Sequence, residues 1–175
     1  DDLQAQTLSY THPEKLQFVA GGVERSGSVL AGLNIIRDRA HDDDWVLVHD
    51  VARPCVRLDD IQKLIETLSE DEVGGVLANQ VRDTIKQSVE HSFRVSSSLT
   101  RNQRWQALTP QMFRFGVLYQ ALNRAKKYKV SVTDESAAIE ALGYQPLLVL
   151  GAYDNIKITY PEDLALADYL LRQQV

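Results

Sequence analysis

Apolar positions along this chain alternate between short continuous runs and longer stretches with helical spacing. The runs "LQFVA" (Leu16 to Ala20) and "WVLVHD" (Trp45 to Asp50) have the length and branching of strands. Between them, "ERSGSVLAGLNIIRDRA" puts Val29, Leu33 and Ile36 on one helical face, which makes a β-α-β unit. The pattern then repeats. "DDIQKLIETL" predicts a helix burying Ile61, Leu64, Ile65 and Leu68, and "GGVLANQV" returns as a third strand.

From Arg82 to about Thr100 the rhythm breaks. "DTIKQSV" and "SFRVSSSL" are two β-prone, polar-rich runs joined by a Glu-His-Ser turn, which predicts a hairpin over residues 82–100. Its faces carry few large apolar groups. Two readings stand: an arm projecting from the core that is buried by a partner, or an ordinary surface hairpin. Beyond it, "RFGVLYQALNRAKKY" turns Val117, Leu118, Ala121, Leu122 and Ala125 inward, and "TDESAAIEAL" forms a helix that ends at Gly143, with Thr133 as its N-cap and Asp134 and Glu135 at its positive end. Strands "PLLVLG" and "NIKITY" lead to the helix "PEDLALADYLL", where Pro161 suits a first turn and Thr159 with Glu162 has capping-box spacing.

Strands alternating with amphipathic helices imply an α/β fold, a three-layer arrangement with a mostly parallel sheet between helices. The chain of 175 residues carries no repeat or flexible linker and reads as one domain, residues 1–175, with the hairpin as its one excursion.

Charge and composition narrow the partners. A net charge of -5 argues against a broad attraction to nucleic acid or to anionic membranes. No window approaches the ~20 apolar residues of a membrane span. The single cysteine, Cys55, excludes an internal disulfide and a Cys-cluster metal site, and fits a reducing compartment. The expected location is the cytoplasm, or a plastid or organelle matrix if a transit peptide was removed.

Candidate chemistry sits at strand ends. In open parallel sheets ligands bind beyond the carboxyl ends of the strands, where Asp50 and Arg53 of "WVLVHDVARPC" fall. Asp50 could hold a divalent cation or sugar hydroxyls and Arg53 could fork onto phosphate, or the two could simply cap and close their own loop. Gly21 and Gly22 lie between a strand and a helix, where backbone N–H groups can accept an anion, although the spacing is neither that of a Walker loop nor G-x-G-x-x-G. Thr84, Arg101, Thr109, Thr133 and Lys157 are ordinary one by one. His12, His41, His49 and His91 lack metal-ligand spacing, and "HDDDW" reads as a solvated turn.

Taken together, the segments "GGVERSGSVLAGL", "WVLVHDVARPCV", "VRDTIK", "LTRNQRWQALTPQMF", "TDESAA" and "DNIKITYPEDLALA" resemble the 2-C-methyl-D-erythritol 4-phosphate cytidylyltransferases of the non-mevalonate isoprenoid pathway, in order and over nearly the whole chain. The resemblance implies a nucleotide-diphospho-sugar transferase-like, Rossmann-like fold and a homodimer joined through the β-arm. It also implies a reaction: CTP and 2-C-methyl-D-erythritol 4-phosphate give the CDP-alcohol and pyrophosphate, with Mg2+ and no covalent enzyme intermediate. Alternatives are a related cytidylyltransferase acting on another polyol phosphate such as ribitol 5-phosphate, and a non-catalytic dimeric module made of this chain alone.

By resemblance, Arg101 and Lys157 position the acceptor's phosphate for attack. Thr84, Thr109 and Thr133 match hydroxyl donors around that acceptor, and Arg53 the basic residue beside it. Asp50 matches a strand-end carboxylate that serves acceptor hydroxyls or the metal-nucleotide complex, which makes it the candidate metal ligand. Gly22, Arg25 and Ser28 match a nucleotide-binding segment, in which Val23 replaces a frequent acidic residue and leaves the contact to the backbone. Family members begin with a strand, a Gly-rich arginine loop and a Pro-Lys-Gln segment, none of which is found here. About 50 to 60 residues are therefore expected to be missing, at ~30 per βα unit.

Overall fold

Helical spacing in the first and third quarters of the sequence is realised in one set of packed helices. In the computed structural model, which describes residues 5–174, the chain divides into two compact units. The first comprises the residues up to Val46 together with Phe113–Pro146, and the second Leu47–Met112 with the residues from Leu147 onward.

In the first unit, helix α1 (Arg25–Ile36) packs on α3 (Phe115–Tyr128), which packs in turn on α4 (Glu135–Glu140). The expected face of α3 is the observed one: Leu118, Ala121, Leu122 and Ala125 are buried, with Val117 only partly covered. In α1 Leu33 is buried as expected and Leu30 with it, while Val29 and Ile36 are only partly covered. His41 to Asp44 of "HDDDW" are exposed as expected, while Trp45 is half-buried and opens a strand; the carbonyls of Asp44 and Asp42 accept from the N–H groups of Phe115 and Gly116 at 2.7 and 2.9 Å. These are donors that the first turn of α3 cannot satisfy internally. Gly116 is required there, since a Cβ would lie 2.7 Å from that of Asp42.

Two expectations fail in this unit. Residues 16–20 form no strand, because a strand needs a ladder neighbour and none of the described residues supplies one; Leu16 and Phe18 stand about half exposed. Thr133 is not the cap of α4. The extended residue is Asp134, whose carboxylate accepts from the N–H of Ala137 at 2.9 Å. That shift of one residue sends Glu135 inside.

Most of the second unit's strand residues belong to a mixed sheet in the order β1–β5–β2–β6, with β1 at Trp45–Val48, β2 at Gly74–Gln80, β5 at Trp105–Arg114 and β6 at Leu147–Leu150. Strands β2 and β6 pair in parallel. Strand β5 had no counterpart in the sequence pattern. Pro110 in its middle argues against a central strand, yet Leu108 to Phe113 are buried throughout. Helix α2 (Leu58–Leu68) covers β2 and β6 with Leu64 and Leu68. Ile61 and Ile65 were expected on that face, but its third buried member is Asp60, whose carboxylate accepts from the N–H of Ala152 at 2.7 Å.

Residues 155–160 also form no strand; they run as an irregular segment, with Ile158 N–H donating to the carbonyl of Ala52 at 2.8 Å. Helix α5 (Asp163–Gln173) begins two residues after Pro161, and the capping box of Thr159 with Glu162 is not formed. Instead the Asp163 carboxylate accepts from the N–H groups of Thr159 and Tyr160 at 2.8 and 2.9 Å. The expected hairpin is present as β3 (Ile85–Ser88) and β4 (Val95–Leu99), antiparallel and largely exposed, with a register shift between Gln87 and Ser88. No helix among the described residues is long and apolar enough to cross a membrane.

Candidate active site

At the carboxyl end of β1 the chain turns sharply, and the turn is closed by its own polar groups. Arg53 N–H donates to the carbonyl of Asp50 at 2.9 Å. His49 reaches over the same turn, its Nε2 3.0 Å from the carbonyl of Arg53 and its Nδ1 3.0 Å from the hydroxyl of Thr109 on β5. That hydroxyl also accepts the N–H of Asp50 at 3.1 Å. Arg53 sends its guanidinium to the carbonyl of Asn155 at 2.8 Å, and the side-chain amide of Asn155 donates to the carbonyl of Thr109 at 2.8 Å. Thr109, His49, Arg53 and Asn155 thus form a closed ring of hydrogen bonds.

The ring presents an ion pair. Lys157 Nζ lies 3.2 Å from Asp50 Oδ2, with the lysine about half exposed and the carboxylate mostly covered. With the ammonium half in solvent, a pair of this kind is worth on the order of 1 kcal/mol, so an incoming anion can take the ammonium at little cost. Lys157 owes its place to an irregular segment fastened almost residue by residue. Ala152 is held by Asp60 and by the Asn79 amide, Tyr153 by Gln80, Asp154 by an ion pair with Arg57, and Asn155 by the ring.

Thr84 and Arg101 stand at the two ends of the hairpin, both exposed. Arg101 donates to the carbonyl of Arg82 at 2.8 Å, and the Arg82 guanidinium lies 3.2 Å from the centre of the Tyr153 ring. Gln80 to Arg82, Arg101 to Gln103 and Tyr153 line a polar hollow of about 550 Å³.

The remaining expected residues fall in the first unit. Ser28 Oγ accepts the N–H of Gly22 at 3.0 Å, so the glycine loop is folded back on the first turn of α1. Gly22 is obligatory in that fold: a Cβ would come within 2.8 Å of the backbone of Gly27. Val23 is fully exposed. Arg25, expected at the nucleotide, holds Glu135 at 2.5 Å. Glu135 is wholly buried, and burial pushes its carboxyl above the ordinary range against the opposing pull of Arg25. Thr133 is exposed beside this pair in sequence.

The structure therefore brings Asp50, Arg53, Thr109 and Lys157 together in the second unit, and Gly22 with Ser28 in the first. Sequence reading gave no role to His49, Asn155 or Tyr153. For His49 the available signal was its place directly before Asp50, a second polar residue closing an apolar run; Asn155 and Tyr153 gave none without their distant partners.

The family model of 2-C-methyl-D-erythritol 4-phosphate cytidylyltransferase matches residues 1–173. The 2-C-methyl-D-erythritol 4-phosphate cytidylyltransferase of Ruthia magnifica is 47% identical over 99% of this chain and 72% of its own length. The crystal structure of the Francisella tularensis enzyme of that name superposes with a TM-score of 0.86 at 38% identity, covering 95% of this chain and 76% of that one. The Thermus thermophilus structure gives 0.76 at 30% identity, covering 89% and 72%.

Proposed function

This chain belongs to the 2-C-methyl-D-erythritol 4-phosphate cytidylyltransferase family, and from that premise we infer that it forms 4-diphosphocytidyl-2-C-methyl-D-erythritol and pyrophosphate from CTP and 2-C-methyl-D-erythritol 4-phosphate. The observation that supports this most directly is the Asp50–Lys157 pair, a displaceable cation beside a covered carboxylate at a strand end.

In this reading an acceptor phosphate oxygen attacks the α-phosphorus of CTP in line, and the bond from that phosphorus to the departing pyrophosphate breaks. The acceptor phosphate is already ionised and needs no base. The protein's work is alignment and charge neutralisation. Lys157 and Arg101 hold the acceptor phosphate, Arg53 supports it from the ring, and Thr84 and Thr133 contribute hydroxyls. Gly22, Arg25 and Ser28 serve the nucleotide.

A divalent cation, which we take to be Mg2+, accompanies the nucleotide. No group of three or more His, Cys, Asp or Glu among the described residues could cage a metal. Asp50 fits the other mode, in which Mg2+ is held by one or two carboxylates and by substrate phosphates. When bound, the ion neutralises charge on those phosphates. We assign the protein to the bacterial cytoplasm, in keeping with the bacterial source of its relatives. We also assign it to a homodimer joined through the hairpin, since an exposed two-stranded ribbon is marginal without a partner.

The test is CTP-dependent pyrophosphate release by the purified protein, with 2-C-methyl-D-erythritol 4-phosphate and ribitol 5-phosphate run side by side. A higher kcat/KM with the methylerythritol acceptor is expected. Release with neither acceptor overturns the assignment.

A further inference from the structure

We propose that His49 is a positioning residue, whose Nε2–H tautomer locks the Thr109 hydroxyl and the Asp50–Arg53 turn in the arrangement that receives the acceptor, a role that presupposes the transfer inferred above. His49 is exposed, yet both ring nitrogens are engaged within the protein. The partner of Nε2 is the backbone carbonyl of Arg53, which can only accept, so Nε2 carries the proton. In the neutral ring Nδ1 is then an acceptor, and the hydroxyl 3.0 Å away must donate to it.

This settles the single proton of Thr109. A threonine hydroxyl has one proton and two lone pairs. The proton goes to His49, and one lone pair takes the N–H of Asp50 at 3.1 Å. What remains is one lone pair on a residue only 4% exposed, and no proton is left for a phosphate oxygen. The Thr109 hydroxyl is thereby spent on holding the turn, which departs from the hydroxyl-donor role that the family resemblance implied.

His49 also spans the turn that carries both charged groups. Its bond to the Arg53 carbonyl crosses four residues, and its bond to Thr109 ties the turn to β5. Loss of the ring leaves the turn's own Arg53 N–H bond and the Asp50 N–H bond to Thr109 in place, but removes the second tie to β5 and the bond across the turn, so that the loop is free to pivot about a single contact to that strand. Misplacement of about 1 Å at such a site can cost on the order of 100-fold in rate.

The experiment has two arms on the full chain. Nitrogen-15 NMR of the histidine rings is expected to show protonated Nε2 and bare Nδ1 for His49; the opposite tautomer overturns the proposal. Three variants supply the kinetics. His49→Phe removes both bonds and is expected to lower kcat/KM for the acceptor by roughly 10- to 100-fold, with KM for CTP unchanged. His49→Asn keeps an acceptor near the Nδ1 position, His49→Gln a donor near Nε2, and each is expected to recover part of the loss. Wild-type acceptor kinetics in the Phe variant overturns the proposal. Absence of turnover in the unmodified protein overturns the transfer reading instead, and the NMR arm still decides the tautomer on its own.

Discussion

Lys157 is held by a bond weak enough to be exchanged, which suits the phosphate contact proposed for it. Its contact with Asp50 is half in solvent, and no regular element carries it. Lys157→Ala is expected to lower kcat/KM for the acceptor by about 100-fold while sparing KM for CTP, since the side chain is assigned to the acceptor phosphate alone. Acceptor and CTP titrations on the same variant check this. Glu135 makes a different statement. Its folded pKa lies above its unfolded one, so the contribution to stability is present below the unfolded value and is lost as pH rises through the folded value. The melting temperature of the wild type is therefore expected to fall relative to Glu135→Gln as pH climbs from the ordinary carboxylate range. A gap that does not change with pH would contradict it. Neither residue announced this in the sequence. Lys157 stood out only within "DNIKITYPEDLALA", and Glu135 read as an acid at the positive end of its helix, because its partner Arg25 is 110 residues away.

Elements inherit their ends from single side chains. Asp163 starts α5 by accepting two backbone N–H groups, and these bonds hold its carboxyl below the ordinary value. Stability from this cap is present above the unfolded pKa and lost as pH falls through the folded one. Asp163→Ala is expected to melt below the wild type at neutral pH, with the two curves converging in acid. A pH series of thermal melts reads it directly. The same local view explains what periodicity revealed. Strands β1, β2 and β6 were legible as apolar runs and the face of α3 from its spacing, whereas in α2 only Leu64 and Leu68 of the expected four are buried. Strand β5 was not legible, since Pro110 and two polar neighbours hide a segment that the sheet buries on both sides. Residues 16–20 and 155–160 misled in the opposite sense: alternation promises a strand only where a neighbour completes the ladder, and 155–160 spend their polar groups on side chains and loops instead. Among the site residues, Asp50 was placed by its strand, while Arg53, Thr109 and Asn155 are joined by contacts 46 and 102 residues apart in sequence that no local pattern encodes.

At the level of the whole molecule, the hairpin is where assembly can be tested. Its residues are almost all exposed and its register carries a shift near the turn. Replacing 85–99 by a short turn is expected to convert the proposed homodimer into a monomer in sedimentation, with acceptor turnover falling in parallel; a dimer of unchanged mass would place the interface elsewhere. The ring of Thr109, His49, Arg53 and Asn155 bears on a longer timescale. Each member satisfies the next, so exchanging one strands a donor or a carbonyl on its neighbour, and the energies of such exchanges do not add. At these four positions lineages that carry the ring are expected to inherit the set intact or to replace members in pairs.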